Sequence, residues 1–130
     1  MSAPLRKATL YMPSKREHPR ANLFHIRDNV TLARSFVGDL NYDGFRSNRL
    51  VFYAVTRALE IISEASRRLP DEIKARHPEI PWIDVAAAEN VYRHDYEDVR
   101  ERAVWITVQK HLPPLLAAVE QEIRQLGDLP

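Results

Sequence analysis

Leu50-Val51-Phe52-Tyr53-Ala54-Val55-Thr56-Arg57-Ala58-Leu59-Glu60-Ile61-Ile62-Ser63-Glu64-Ala65-Ser66-Arg67-Arg68-Leu69 is the stretch that decides the fold class. Val51, Val55, Ala58, Ile62, Ala65 and Leu69 recur at intervals of 4, 3, 4, 3 and 4, the course of one face of an α-helix. Leu50, Ala54 and Ile61 form a second stripe on the same helix. Two apolar faces predict burial on two sides, in a bundle core and against a second copy of the chain. Ser47 or Asn48 is placed to cap the start, and Pro70 blocks simple continuation.

The pattern extends in both directions. Leu23, Ile26, Val30, Ala33 and Val37 recur at 3, 4, 3 and 4, with Pro19 where a helix can begin and Gly38 where it can end. Asn41-Tyr42-Asp43-Gly44-Phe45 between the two helices is turn chemistry. Residues 71–76 read as a short exposed helix. Pro78 and Pro81 bracket a rigid turn around Ile80, and Trp82 is expected to plug one end of the bundle. A further helix is expected from about residue 82 to residue 94, capped near its start by Asp84. The last helix is expected from about residue 99 to residue 126. It carries Ala103, Ile106, Leu112, Leu116, Val119, Ile123 and Leu126, with a kink at Pro113-Pro114 and an end at Gly127. There is no β-alternation and no repeat. The expected architecture is all-α: an up-down bundle of four main helices with one short extra helix. It would occupy residues 19–127 behind a flexible tail of residues 1–18, within which Met12 could be a second start.

Bulk properties narrow the function classes. A chain of 130 residues is one domain with room for one core. Hydrophobic residues at 45% and charged residues at 28% are ordinary for a soluble globular protein. No apolar run approaches the roughly 20 residues of a membrane span, and no signal-peptide pattern opens the chain. Cysteine is absent, which removes disulfides and thiolate chemistry and fits the cytoplasm. A net charge of +1 supplies no global field for nucleic acid, so RNA contact would depend on local arginines.

Chemistry concentrates in Glu89-Asn90-Val91-Tyr92-Arg93-His94-Asp95-Tyr96. On a helix, Asn90 and His94 share a face as i, i+4 neighbours. From the residues alone, this is a solvated helix end with a Glu89–Arg93 ion pair, or a site where His94 moves protons at neutral pH and Arg93 grips phosphate. The scattered His18, His25, His77 and His111 do not pair for zinc. Asp95, Glu97 and Asp98 form an acidic cluster, read as a solvated loop with a divalent-ion site as the alternative. The chain's three glycines form no phosphate loop, so no nucleotide cofactor is expected.

The chain resembles the HepT-like proteins of the HEPN superfamily, small all-helical ribonuclease toxins. The resemblance runs through Glu60-Ile61-Ile62-Ser63-Glu64-Ala65-Ser66, the Pro78-Glu79-Ile80-Pro81-Trp82 turn, the segment from Asn90 to Tyr96 and the last helix. It covers roughly residues 12–126. Asn90, His94 and Tyr96 fall on the Asn, His and Tyr of the family motif Arg-Asn-x-x-x-His-x-Tyr, whereas Glu89 occupies its Arg position. The resemblance implies metal-independent endoribonuclease activity in a type VII-like toxin–antitoxin pair. It gives His94 the proton transfer, and makes Tyr96 the acceptor of AMP from a MntA-like nucleotidyltransferase antitoxin. Arg93 could supply the guanidinium that the motif lacks at position 89. Asn90 could place the phosphate or orient His94. Glu89 could be a general base or the mark of a weakened enzyme. The alternative reading is therefore a catalytically weakened or inactive helical partner of a nucleotidyltransferase.

Overall fold

A computed structural model describes residues 19–90 and 96–127 in full and residues 91–94 as backbone. The expected tail, with its second start at Met12, lies outside the described residues. Among the described residues seven α-helices follow one another: α1 Pro19–Val37, α2 Tyr42–Ser47, α3 Arg49–Arg67, α4 Asp71–Ala75, α5 Trp82–His94, α6 Glu97–Ile106 and α7 Leu112–Leu126. A π-helical turn, Thr107–His111, joins the last two. Among the described residues there is no strand. The chain is the expected all-α helical bundle, with α1 and α5 packed on the central α3 and α7 closing against α1.

Local chemistry accounts for the boundaries. Asn48 caps α3 by accepting the Val51 amide at 3.1 Å, whereas the Ser47 hydroxyl turns back to the Asp43 carbonyl at 2.7 Å. Gly38 takes φ +53° and ends α1, donating its amide to the Arg34 carbonyl at 3.0 Å. Gly127, at φ +60°, ends α7. Residues 41–45, read as a turn, instead open the short helix α2. Asn41 Oδ1 accepts the Gly44 amide at 2.8 Å, which satisfies one of the donors that a helix start leaves unpaired. Asp84 is not a cap: α5 already begins at Trp82, so Asp84 lies inside its first turn, where its charge meets the positive end of the helix dipole.

The last helix starts at Glu97, two residues before the expected point, and its proline break takes a particular form. Pro113 and Pro114 offer no amide to the carbonyls one turn before them, and their rings crowd those carbonyls. The chain absorbs the misfit by widening one turn, so that the Leu112 amide donates to the Thr107 carbonyl five residues back.

The predicted stripe of α1 is buried throughout, as is that of α3 from Val55 to Leu69. The second α3 stripe divides: Ala54 and Ile61 are half-buried, but Leu50 is 80% exposed and Tyr53, one turn on, is 63% exposed. Phe45 holds α2 in place, its ring meeting Phe52 at 5.9 Å and Trp105 at 5.4 Å. Such pairs add about 0.5–1.5 kcal/mol each beyond area burial.

The start of α5 is set by polar contacts as well as by packing. Trp82 is half-buried at the end of the bundle, as expected, and its Nε1 donates to the carbonyls of Lys74 and His77 at 3.1 and 3.0 Å. Buried His77 stands 2.6 Å from buried Glu122 of α7, whose carboxylate also takes a two-pronged contact from Arg76 at 2.7 and 3.1 Å. This ties the 71–82 segment to α7 and fixes where α5 departs.

Candidate active site

The motif occupies the end of α5 and the start of α6. The α5 backbone is helical to His94, so Asn90 and His94 lie one turn apart on one face, as their spacing predicts. The side chains of Arg93 and His94, and all of Asp95, lie outside the described residues. Asn90 is exposed and Glu89 is half-buried. Tyr96 is the N-cap residue of α6, and it is 86% exposed.

Glu89, at the motif's Arg position, meets a partner that sequence reasoning missed. Arg67, at the end of α3, brings Nη2 to 2.9 Å from Glu89 Oε1. Its Nη1 donates to the Ala86 carbonyl at 2.7 Å and to Ser63 Oγ at 3.3 Å. Ser63 donates to the same carbonyl at 2.8 Å. Of the small buried residues on this part of α3, Ser63 reaches across to α5, whereas the Ser66 hydroxyl donates to the Ser63 carbonyl of its own helix at 2.7 Å. Arg67 and Glu89 are 22 positions apart, so no helical spacing rule could have joined them.

Of the acidic cluster after the motif, the two described members, Glu97 and Asp98, are not in a loop. Glu97 and Asp98 form the first turn of α6, where negative charge suits the helix dipole. Arg49 reaches Glu97 at 2.8 Å and buried Glu101 at 2.6 Å. Arg46 lies 3.5 Å from Glu101 and 3.9 Å from Asp98. Arg49 also lies over the Phe52 ring at 4.7 Å. These arginines dock the residues that follow Tyr96 onto α2 and α3. Sequence reading named neither of them, because both stand some fifty residues from the acids they hold.

A cleft of about 350 Å³ opens between α3, α5, the π turn and α7, walled mainly by Leu59, Ile62, Val85, Ala88, Leu112 and Leu115. Of the described motif residues, none lines it. Among the described residues no group of three His, Asp or Glu side chains is arranged to hold a metal ion. No helix among them is long and apolar enough to cross a membrane.

Comparison with known proteins follows the same chain span. The profile of the family described as Ribonuclease HepT-like matches residues 26–122. The protein named Probable ribonuclease HepT, from Thermococcus cleftensis, is 36% identical over 107 residues, which is 82% of this chain and 96% of that one. Putative RNase MJ1380, from Methanocaldococcus jannaschii, is 33% identical over 82% of this chain and 97% of its own. Putative RNase TTE0752, from Caldanaerobacter subterraneus, is 30% identical over 82% of this chain and 96% of its own. No solved structure gives a significant match. With three quarters of its length under the family profile and a helical bundle that carries the Asn-x-x-x-His-x-Tyr residues, the chain belongs to the HepT-like ribonuclease family.

Proposed function

We propose that the chain is a metal-independent endoribonuclease, the toxin of a type VII-like pair, silenced when a MntA-like nucleotidyltransferase transfers AMP to Tyr96. The observation that carries this reading is the joining of family membership to an exposed Tyr96 directly after the motif helix. In this reading the ribose 2′-hydroxyl attacks the adjacent phosphate and the 5′-oxygen leaves. His94 moves the proton that this exchange requires. Arg93 stabilises the charge that builds on the phosphorane, and Asn90 orients the phosphate or the imidazole. AMP on Tyr96 adds an anion and bulk beside the RNA path, so it blocks substrate by charge and by sterics. The pair works in the cytoplasm. Leu50 and Tyr53 form the apolar patch through which two copies associate.

The test is RNA cleavage by the purified protein and by His94→Ala, with circular dichroism to show equal helicity. Loss of cleavage in the variant is the expected result, and undiminished cleavage removes the assignment.

A second reading is a weakened or inactive partner of the nucleotidyltransferase. Glu89 favours it, because a carboxylate cannot do the work of a guanidinium beside phosphate. No cleavage by the parent, together with AMP transfer to Tyr96 by the partner enzyme, would select this reading.

A further inference from the structure

Glu89 is the one departure from the motif, and the geometry around it points to a compensation. A bare carboxylate at this position repels a phosphate that approaches Asn90 and His94. Here the carboxylate is turned toward α3, is only 20% exposed, and has the Arg67 guanidinium 2.9 Å away. The same guanidinium is held at two further points. One is Ser63 Oγ at 3.3 Å; the other is the Ala86 carbonyl at 2.7 Å. In a regular helix that carbonyl is the acceptor of the Asn90 amide. Arg67 therefore grips the turn that leads into Asn90 by its backbone and by its charged side chain at once.

We infer that Arg67 is a positioning residue of the ribonuclease site, which neutralises Glu89 and so keeps that carboxylate from repelling RNA phosphate. The inference rests on the nuclease reading above and adds to it a residue from outside the motif. The Arg67–Glu89 pair carries no net charge, so the motif position that is cationic in the family is neutral here and not anionic. Arg67 is itself 41% exposed, which leaves the positive side of the pair nearer to solvent than the negative side.

The consequence is a specific non-additivity. Arg67→Ala removes the cation beside the Glu89 carboxylate and weakens RNA binding roughly five- to tenfold, the scale of one like charge a few ångströms from a phosphate in water. Adding Glu89→Gln to Arg67→Ala removes that charge and restores most of the binding. Arg67→Lys keeps the charge and holds binding close to the parent level. A purely structural role predicts a different pattern, in which the double variant is no better than Arg67→Ala, because the grip on the Ala86 carbonyl is lost in both.

The probe is a fluorescent 2′-O-methyl oligoribonucleotide, which lacks the attacking hydroxyl and so reports binding without cleavage. Anisotropy titrations are run on the parent, Arg67→Ala, Arg67→Lys and Arg67→Ala/Glu89→Gln, with thermal melts of each. Rescue by the double variant at equal folding supports the inference. Equal binding by parent and Arg67→Ala, no rescue by the double variant, or no binding by the parent overturns it. Binding that follows the expected pattern in a protein that cleaves no natural RNA keeps the inference and rejects the nuclease reading, so the two fail separately.

Discussion

His77 Nε2 stands 2.6 Å from Glu122 Oε2, with both side chains buried between the 71–82 segment and the last helix. The Arg76 guanidinium, which reaches the same carboxylate at 2.7 Å, is the main cause that holds the Glu122 carboxyl below its ordinary value; burial opposes it, and the His77 contact assists it.

A depressed carboxyl stabilises the fold while it is ionised. Its contribution is complete above the ordinary value of 4.5 and declines as pH falls through the lower value in the folded state. Glu122→Gln is therefore expected to be less stable than the parent at pH 7, by roughly 1–3 kcal/mol. The gap should narrow as the pH drops below 4.5. Urea unfolding of both proteins from pH 7 to pH 3 checks this. A gap that stays constant with pH would contradict it.

Tyr96→Phe is expected to keep RNA cleavage and lose AMP acceptance. The phenol is 86% exposed, and the N-cap of α6 makes no side-chain capping bond, so the hydroxyl can be removed without unravelling the helix. Mass spectrometry after incubation with the nucleotidyltransferase and ATP reads the modification. AMP found on the variant would move the acceptor elsewhere.

Restoring the family residue at position 89 has a consequence that the motif alone does not suggest. From the sequence, Glu89→Arg should strengthen the phosphate site, or lower activity where Glu89 is a general base. In the fold it places a second guanidinium against Arg67, at a contact now 2.9 Å long. The single variant is expected to lose about 0.5–1 kcal/mol, a partly exposed ion pair exchanged for a like-charge contact. Arg67→Glu/Glu89→Arg should recover the loss, and thermal melts of the four proteins complete the cycle. A Glu89→Arg protein as stable as the parent would show that the pair contributes nothing.

Association through α3 gives a further outcome. Leu50→Glu is expected to convert a dimer to a monomer in light scattering at micromolar concentration, with little change in helicity, because Leu50 is 80% exposed in the single chain. A parent protein that is already monomeric removes the idea.

What could be read along the chain was what depends on near neighbours. The α1 stripe from Leu23 to Val37, the cap at Asn48, the ends at Gly38 and Gly127 and the extent of the motif helix all follow from residues within a turn or two of one another. The break at Pro113-Pro114 was legible for the same reason, although not its form as a π turn, because missing amides and crowding rings can be absorbed by a kink as well as by one widened turn. The Asn90–His94 face was legible as a helical spacing. The turn at residues 41–45 was misread because Asn and Gly serve a helix cap as well as they serve a turn, and what selects the helix is Phe45 entering the core.

Tertiary structure decided the electrostatics. Glu89 meets Arg67 and Glu101 meets Arg49 across helix–helix contacts, and Glu122 meets Arg76 and His77 in the segment just after α4, each pair far apart in the chain. Helical periodicity says which face of a helix is apolar. It does not say which residue of another helix will stand within 3 Å of a given carboxylate, because that depends on the relative height and rotation of two packed helices. The sequence by itself determined a HepT-like helical chain with a motif altered at Glu89, and only the packing of α5 on α3 decided that this carboxylate is paired.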